Sequence, residues 1–500
     1  MLATILYAVD STIVNVALPH MQGSLQATQD QAAWIVTGYI VVGAIATPLT
    51  GWLGARFGLR PVLLVSIAGF TVGSILCGLA SDLGQMVAFR MIQGAFGAAL
   101  VPLSQVVLLQ EFPRSSHGRV MALWGIGVMV GPILGPTLGG WLTESFSWRW
   151  AFYINLPIGA IAWLALMAAM PKSKPQGHRP FDLKGFLFLS LSVGLFQLML
   201  DRGETKDWFQ SGEIMAEALF AGLFLYMFIV HLLTAKNPFI DIHLFRDRNF
   251  TISLLIQTGI GAFVLSPSVL LPSFLQQLQG YTPSQAGALM ASRGLASIVA
   301  MVISGRLSNH IDPRKLLVLG LAVVSLSLWL MASFSIDTPE EQFVLVGLLQ
   351  GFGIPLAFLS VTFVAFATLP DSSRTEAGVL LTLVRNIGGS AGISMLVALI
   401  ARSAQVNQSY LVEHFTSYTT SRWQTIGSPP GANGATFGIV AEIGRQGLAI
   451  AYSNAFSILA AATLASIPLV FLLRLSRTAL HSKNVNVSTK SNRTLQSQPK

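Results

Sequence analysis

The sequence predicts an all-α integral membrane protein, with fourteen membrane-spanning helices arranged as two six-helix halves around an inserted pair. Three observations carry this reading. Only 10% of the 500 residues are charged and 53% are hydrophobic, whereas soluble domains carry about 25% charged residues. The apolar residues gather in runs long enough to cross about 30 Å of hydrocarbon, which takes roughly 20 helical residues. Landmarks in the first six runs recur in the last six.

In order, the runs cover 1–19, 33–53, 61–80, 83–110, 120–142, 150–170, 183–200, 214–234, 250–273, 284–305, 315–335, 342–368, 377–401 and 449–473. None alternates in polarity over about ten residues, as a barrel strand would. The first run carries Asp10 and has no basic stretch ahead of it, so it does not read as a cleavable signal. Only nine residues precede Asp10, which favours a start further upstream.

The basic residues fix the orientation. With the N-terminus inside and the sides alternating, 21 of the 30 Lys and Arg fall on the inner side, 6 on the outer side and 3 within spans. This satisfies the positive-inside rule and puts both termini in the cytoplasm. The net charge of +9 is scattered between apolar runs rather than gathered on one face. It reads as membrane topology, and no nucleic-acid partner is expected. The single cysteine, Cys77, lies inside an apolar run and reads as a small buried residue.

Internal repeats mark transporters. Gly51-Trp52-Leu53 and Gly305-Arg306-Leu307 each close a run, and Arg60 and Arg314 follow each glycine by nine residues, at an offset of 254. Gln93-Gly94 matches Gln350-Gly351 at an offset of 257, as do Pro113 with Pro370, Gly131 with Gly388 and Gly135 with Gly392. The chain therefore divides into a six-helix bundle (1–170), an inserted two-helix segment (171–248) and a second bundle (249–478). The second bundle holds an outer loop (402–447) and is followed by a polar tail (479–500) expected to be disordered.

These residues carry a family resemblance. Gly51 to Arg60, with Gly51, Arg56, Gly58 and Arg60 at the key positions, resembles the major facilitator signature between spans 2 and 3. Ala55 stands where that signature usually has an aspartate, thought in the wider family to latch the outward-facing state. Members of the fourteen-span group often lack it. Arg90 to Gly94 resembles the family's second signature, and Gly127 to Gly140 resembles the antiporter signature of span 5, with Gly127, Gly131, Pro132, Gly135, Pro136, Gly139 and Gly140. Asp10 to Pro19, Trp148 to Pro157, Leu200 to Gly203 and Asp207 to Phe209 resemble the EmrB/QacA group of fourteen-span drug:proton antiporters. The resemblance implies a major facilitator fold, an inner-membrane location and an outer region that could meet a periplasmic adaptor and an outer-membrane channel.

An ionisable group at the bilayer centre costs several kcal/mol, about 3 on insertion scales, and needs a partner, water or a function. Asp10 is the only deep carboxylate of the first half, and Arg90 lies at comparable depth. Low dielectric favours a neutral acid, and a nearby arginine favours the charged form. Such a pair can take and release a proton as water access switches; a static bridge between spans 1 and 4 is the alternative. Asn15, Gln93, Gln257, Arg293, Arg385 and Asn386 are candidates for lining a substrate cavity. For Gln105, Gln197 and Gln257, structural hydrogen bonding is the competing reading. Gly131-Pro132 and Gly135-Pro136, one turn apart, predict a kinked, closely packed span that seals the halves against proton leak.

The eight histidines show no metal-ligand spacing and no phosphate-binding loop is present, so neither a metal, a cofactor nor enzymatic activity is expected. The energy source would be the proton gradient. The function this predicts is proton-coupled export of amphipathic drugs or related small toxic compounds. Uptake by a facilitator-type proton symporter is the alternative, and it predicts no span-5 antiporter signature.

Overall fold

The computed structural model describes residues 1–113, 116–171, 181–236, 238–307, 311–370, 373–413 and 433–474. The tail expected to be disordered, 479–500, lies outside them, as does 414–432 of the predicted outer loop. Among the described residues every regular element is a helix. The first bundle contains α1 (Leu2–Ser24), α2 (Gln29–Phe57), α3 (Leu59–Leu79), α4 (Leu83–Gly97), α5 (Leu100–Glu111), α6 (His117–Ser145), α7 (Trp150–Tyr153) and α8 (Asn155–Ala169). The inserted pair is α9 (Leu183–Arg202) and α10 (Gly212–Thr234), and a short α11 (His243–Arg246) leads into the second bundle. That bundle holds α12 (Arg248–Gln277), α13 (Pro283–Leu307), α14 (Pro313–Met331), α15 (Glu340–Ala367), α16 (Arg374–Glu413) and α17 (Asn433–Phe471).

Each of the fourteen predicted runs coincides with one helix or a pair. Twelve helices are long and apolar enough, over the described residues, to cross a membrane, and the bent α1 makes a thirteenth. The remaining run coincides with α6, a 29-residue helix several of whose side chains, including Pro132 and Pro136, lie outside the described residues. Two expectations are corrected. The runs 83–110 and 150–170 are each two helices, broken at Ala98–Ala99 and at Ile154. The outer loop is much shorter than 402–447, because α16 continues to Glu413 and α17 begins at Asn433. Polar residues there hid a helix that needs no lipid. With 40 residues, α16 is about 60 Å long, twice the hydrocarbon thickness. Beyond the apolar stretch the two helices brace each other, with Asn407 Nδ2 donating to Gly447 O at 3.3 Å.

The exterior is apolar. On α10 the side chains of Leu219, Tyr226 and Leu233 are each about two-thirds exposed, and its buried residues are Ile214, Glu217, Ala221 and Phe228. An all-round apolar helix with so little burial needs lipid around it. The pair leans on α2: Asp201 accepts from Thr37 Oγ1, and the Arg202 guanidinium lies 5.4 Å from the Trp34 ring.

The repeat reappears as packing. A Cβ added to Gly131 would fall 2.2 Å from Ala8 O, and one on Gly388 would fall 2.1 Å from Thr258 O. One turn further, Gly135 meets Thr12 and Gly392 meets Ala262. Thus α6 lies against α1 as α16 lies against α12, with backbones in contact that only glycine permits. Gly139 continues the first seam against Ile13. Gly140 faces open space, and a Cβ on Gly127 would fall a close 3.3 Å from the Ile5 side chain rather than on backbone, so these two stand outside the seam. Where they cross the seam, Thr12 Oγ1 bonds Ala8 O, Val9 O and Gly131 O, and α1 bends by 43° between Val14 and Val16. Threonine bonding back to its own helix is a known cause of bending.

The halves meet at one end. Gly51 lies against Val379, Gly54 against Thr375, Gly125 against Met301, Gly305 against Gly118 and Gly378 against Val106. All five contacts lie toward the end that bears Arg56, Arg60 and Arg306. An apolar cluster from both halves fills that end, with Trp124 of α6 stacked on Phe358 of α15 at 5.9 Å. Gly58, between α2 and α3, has φ +89°, the left-handed region that glycine tolerates. Arg60 Nη2 then reaches Met167 O at 2.6 Å, tying the turn to α8. Arg56 lies over Trp52, 5.8 Å from its ring centre.

Candidate functional site

Asp10 is fully buried and is reached by three donors. Arg90 Nη1 lies 2.8 Å from its Oδ2, while Gln93 Nε2 at 2.9 Å and Asn155 Nδ2 at 2.7 Å share its Oδ1. The sequence places these groups well. Arg90 and Gln93 are three residues apart on α4 and so share a face, and Arg90 Nη1 also bonds Gln93 Oε1 at 2.7 Å. Asn155 is the first residue of α8, and the break at Ile154 points its amide into the bundle. Pro157 is accommodated in that first turn, where a missing N–H costs nothing.

The guanidinium is satisfied on other sides too. Arg90 Nε donates to Ile35 O at 3.3 Å, and its Cζ stands 4.0 Å from the Tyr39 ring centre. Asn155 also donates to Ser74 Oγ at 2.9 Å, which in turn donates to Phe152 O. A buried charge pair is tolerated when its remaining hydrogen-bonding positions are filled. This one is filled from α1, α2, α4 and α8, and Ser74 of α3 supports Asn155 from behind. The network around Asp10 thus joins five helices of the first half.

The structure brings Asp10, Arg90 and Gln93 together. Asn155, Ser74 and Tyr39 complete the cluster and were not among the expected site residues. Asn155 stood inside the motif from Trp148 to Pro157, but only the helix break aims it inward. The side chain of Asn15 lies outside the described residues.

The second-half candidates do not join this cluster. Among the described residues, the Oε1 of Gln257, buried in α12, has no partner. Arg293 on α13 donates from Nη2 to Ser268 Oγ at 2.7 Å, while its buried Nη1 has no partner among the described residues. Arg385 on α16 lies over Phe358, 5.3 Å from the ring centre, and the neighbouring Asn386 is half-buried. In the matching helix seams Thr258 takes the place of Ala8 and Ala262 that of Thr12, so Ile260 stands where Asp10 does, and the sequence register puts Gly347 where Arg90 stands. Among the described residues no group of three His, Cys, Asp or Glu is placed to hold a metal.

The comparisons with known proteins agree with this architecture. The chain is 36% identical over 422 residues to the multidrug export protein EmrB of Haemophilus influenzae, covering 83% of this chain and 82% of that protein. It is 34% identical to the fatty acid resistance protein FarB of Neisseria gonorrhoeae, over 95% and 94% of the two chains. Its fold is similar to that of the proton:xylose symporter XylE, with a TM-score of 0.59, 14% identity and 92% of both chains covered; at that identity the likeness concerns the fold alone. The sequence profile of the Major Facilitator Superfamily matches residues 1–393. With a profile match over most of its length and relatives above 30% identity along nearly all of it, the chain belongs to the Major Facilitator Superfamily.

Proposed function

We propose that the protein exports amphipathic drugs or related small toxic compounds across the inner membrane in exchange for protons. The observation that carries the coupling is the fully buried Asp10, held by Arg90, Gln93 and Asn155. A carboxylate so placed can be neutralised by one proton, and its loss of charge frees Arg90 and two amides at once. The similarity to exporters named for multidrug export and fatty acid resistance supports the direction of transport. In this reading both termini lie in the cytoplasm, and the end closed by Trp124 and Phe358 is the cytoplasmic gate. The bundles 1–170 and 249–478 rock about the site, and the segment 171–248 rides on the first. A periplasmic adaptor and an outer-membrane channel are the candidate protein partners. No cofactor beyond the proton gradient is invoked.

The test is Asp10→Asn in proteoliposomes bearing a trapped pH indicator, beside a growth panel in a pump-deficient host. The variant should insert normally, lose proton movement on addition of substrate and lose resistance. Undiminished proton movement would leave Asp10 as a static bridge.

A further inference from the structure

We propose that Arg385 forms a binding site for the single negative charge of an amphipathic carboxylate on the apolar floor between the two halves. The inference rests on the export reading and names a substrate class for it. Arg385 lies eleven residues into α16, about 16 Å from the gated end, which is near the middle of about 30 Å of hydrocarbon. Just beneath it is the apolar plug, where Phe358 carries the guanidinium on one face and stacks with Trp124. The floor therefore draws on both halves, the place where facilitator-type substrates meet their carrier.

The mount is rigid. A Cβ on Gly261 would fall 2.1 Å from Arg385 O, so α12 presses directly on the backbone that bears the arginine. Yet the guanidinium has no counter-ion. Among the described residues it makes no hydrogen bond or ion pair, and its cation–π contact is the Phe358 ring. Arg90, by contrast, is neutralised by Asp10. A lone guanidinium at this depth is costly, and a carboxylate offers it two parallel N–H···O bonds. The single cation matches a monoanion.

The experiment uses the whole protein in nanodiscs and two fluorescent probes, 11-(dansylamino)undecanoate and its primary amide, which keeps the chain and loses the charge. The wild type should bind the carboxylate at least tenfold more tightly than the amide. Arg385→Gln should bring the two within twofold by weakening the carboxylate alone, and Arg385→Lys should fall between. A wild-type preference under twofold, or an equal loss of both probes in a folded Arg385→Gln protein, overturns the proposal. If the Gln variant does not fold, the wild-type ratio and the Lys variant decide. The ratio concerns binding only, so failure of proton coupling in Asp10→Asn sinks the export reading without touching this result.

Discussion

Asn155 donates to Asp10 from 145 residues away, at 2.7 Å, the shortest of the three bonds the carboxylate accepts. Replacing it by leucine removes a donor to a buried acid and leaves Ser74 Oγ with its bond to Phe152 O alone. Bonds to charged groups contribute about 1.5–3 kcal/mol in water-soluble proteins, whereas polar contacts between membrane helices average about 0.6. A loss of about 1–2 kcal/mol is expected for Asn155→Leu, seen as a lowered Tm in detergent, with proton-coupled transport impaired. An unchanged Tm would place Asn155 outside the cluster's energetics.

Removing Arg90 is a harsher change. Arg90→Ala leaves the Asp10 carboxylate buried without its cation, for which about 3–5 kcal/mol of destabilisation is expected. Adding Asp10→Asn to that variant should recover part of the loss, because the uncompensated charge is gone. A double-mutant cycle on thermal stability measures this, and strict additivity of the two losses would show that the pair is not coupled.

The gate has a steric test. A Cβ on Gly305 would lie 2.5 Å from Gly118 O and 2.7 Å from the Ala122 Cβ, and the first of these is rigid backbone. Gly305→Ala should push α13 from α6 and shift the population toward opening at that end. Spin labels on the two helices should report a longer distance, with about 1–3 kcal/mol of overpacking strain. Gly140→Ala, which meets nothing within 4 Å, serves as the control and should leave both readouts in place.

Substrate charge follows from the deep residues. Among the described spans the deep charges are one acid, Asp10, paired with Arg90, and the arginines 293 and 385, which lack ion-pair partners. Hydrophobic weak acids and neutral amphiphiles should be exported in preference to permanent dications. A resistance panel checks this: good export of quaternary ammonium dications with no protection against weak acids would make both arginines structural.

Much of this was readable in the chain because membranes leave few options. Backbone groups in hydrocarbon must be paired within a helix, so each apolar run became one helix or a pair, and the repeat of Gly131 at Gly388 returned as two matching helix contacts. Asp10 and Arg90 were found by depth alone. The break at Ile154 was not readable, since Trp150 to Ala169 is apolar apart from Asn155, and with it went the role of Asn155. The helical ends of α16 and α17 were missed for the opposite reason. Residues such as Gln405, Asn407 and Gln408 read as loop once hydropathy falls, although all three favour or tolerate helix in water.

Ile260, sitting where the repeat would place a second acid, has an electrical consequence. With no second deep acid among the described residues of the second half, the proposed exchange would carry one proton inward on Asp10 while a carboxylate bound at Arg385 moved outward. Both transfers carry charge in the same sense. Each elementary charge gains about 2.3 kcal/mol per 100 mV of membrane potential, so a turnover draws about 4.6 kcal/mol from that voltage. For a neutral substrate the figure halves. The pump would thus run hardest on its anionic cargo in a well-energised membrane, and collapsing the voltage with a potassium ionophore would slow carboxylate export more than a matching loss of the pH difference.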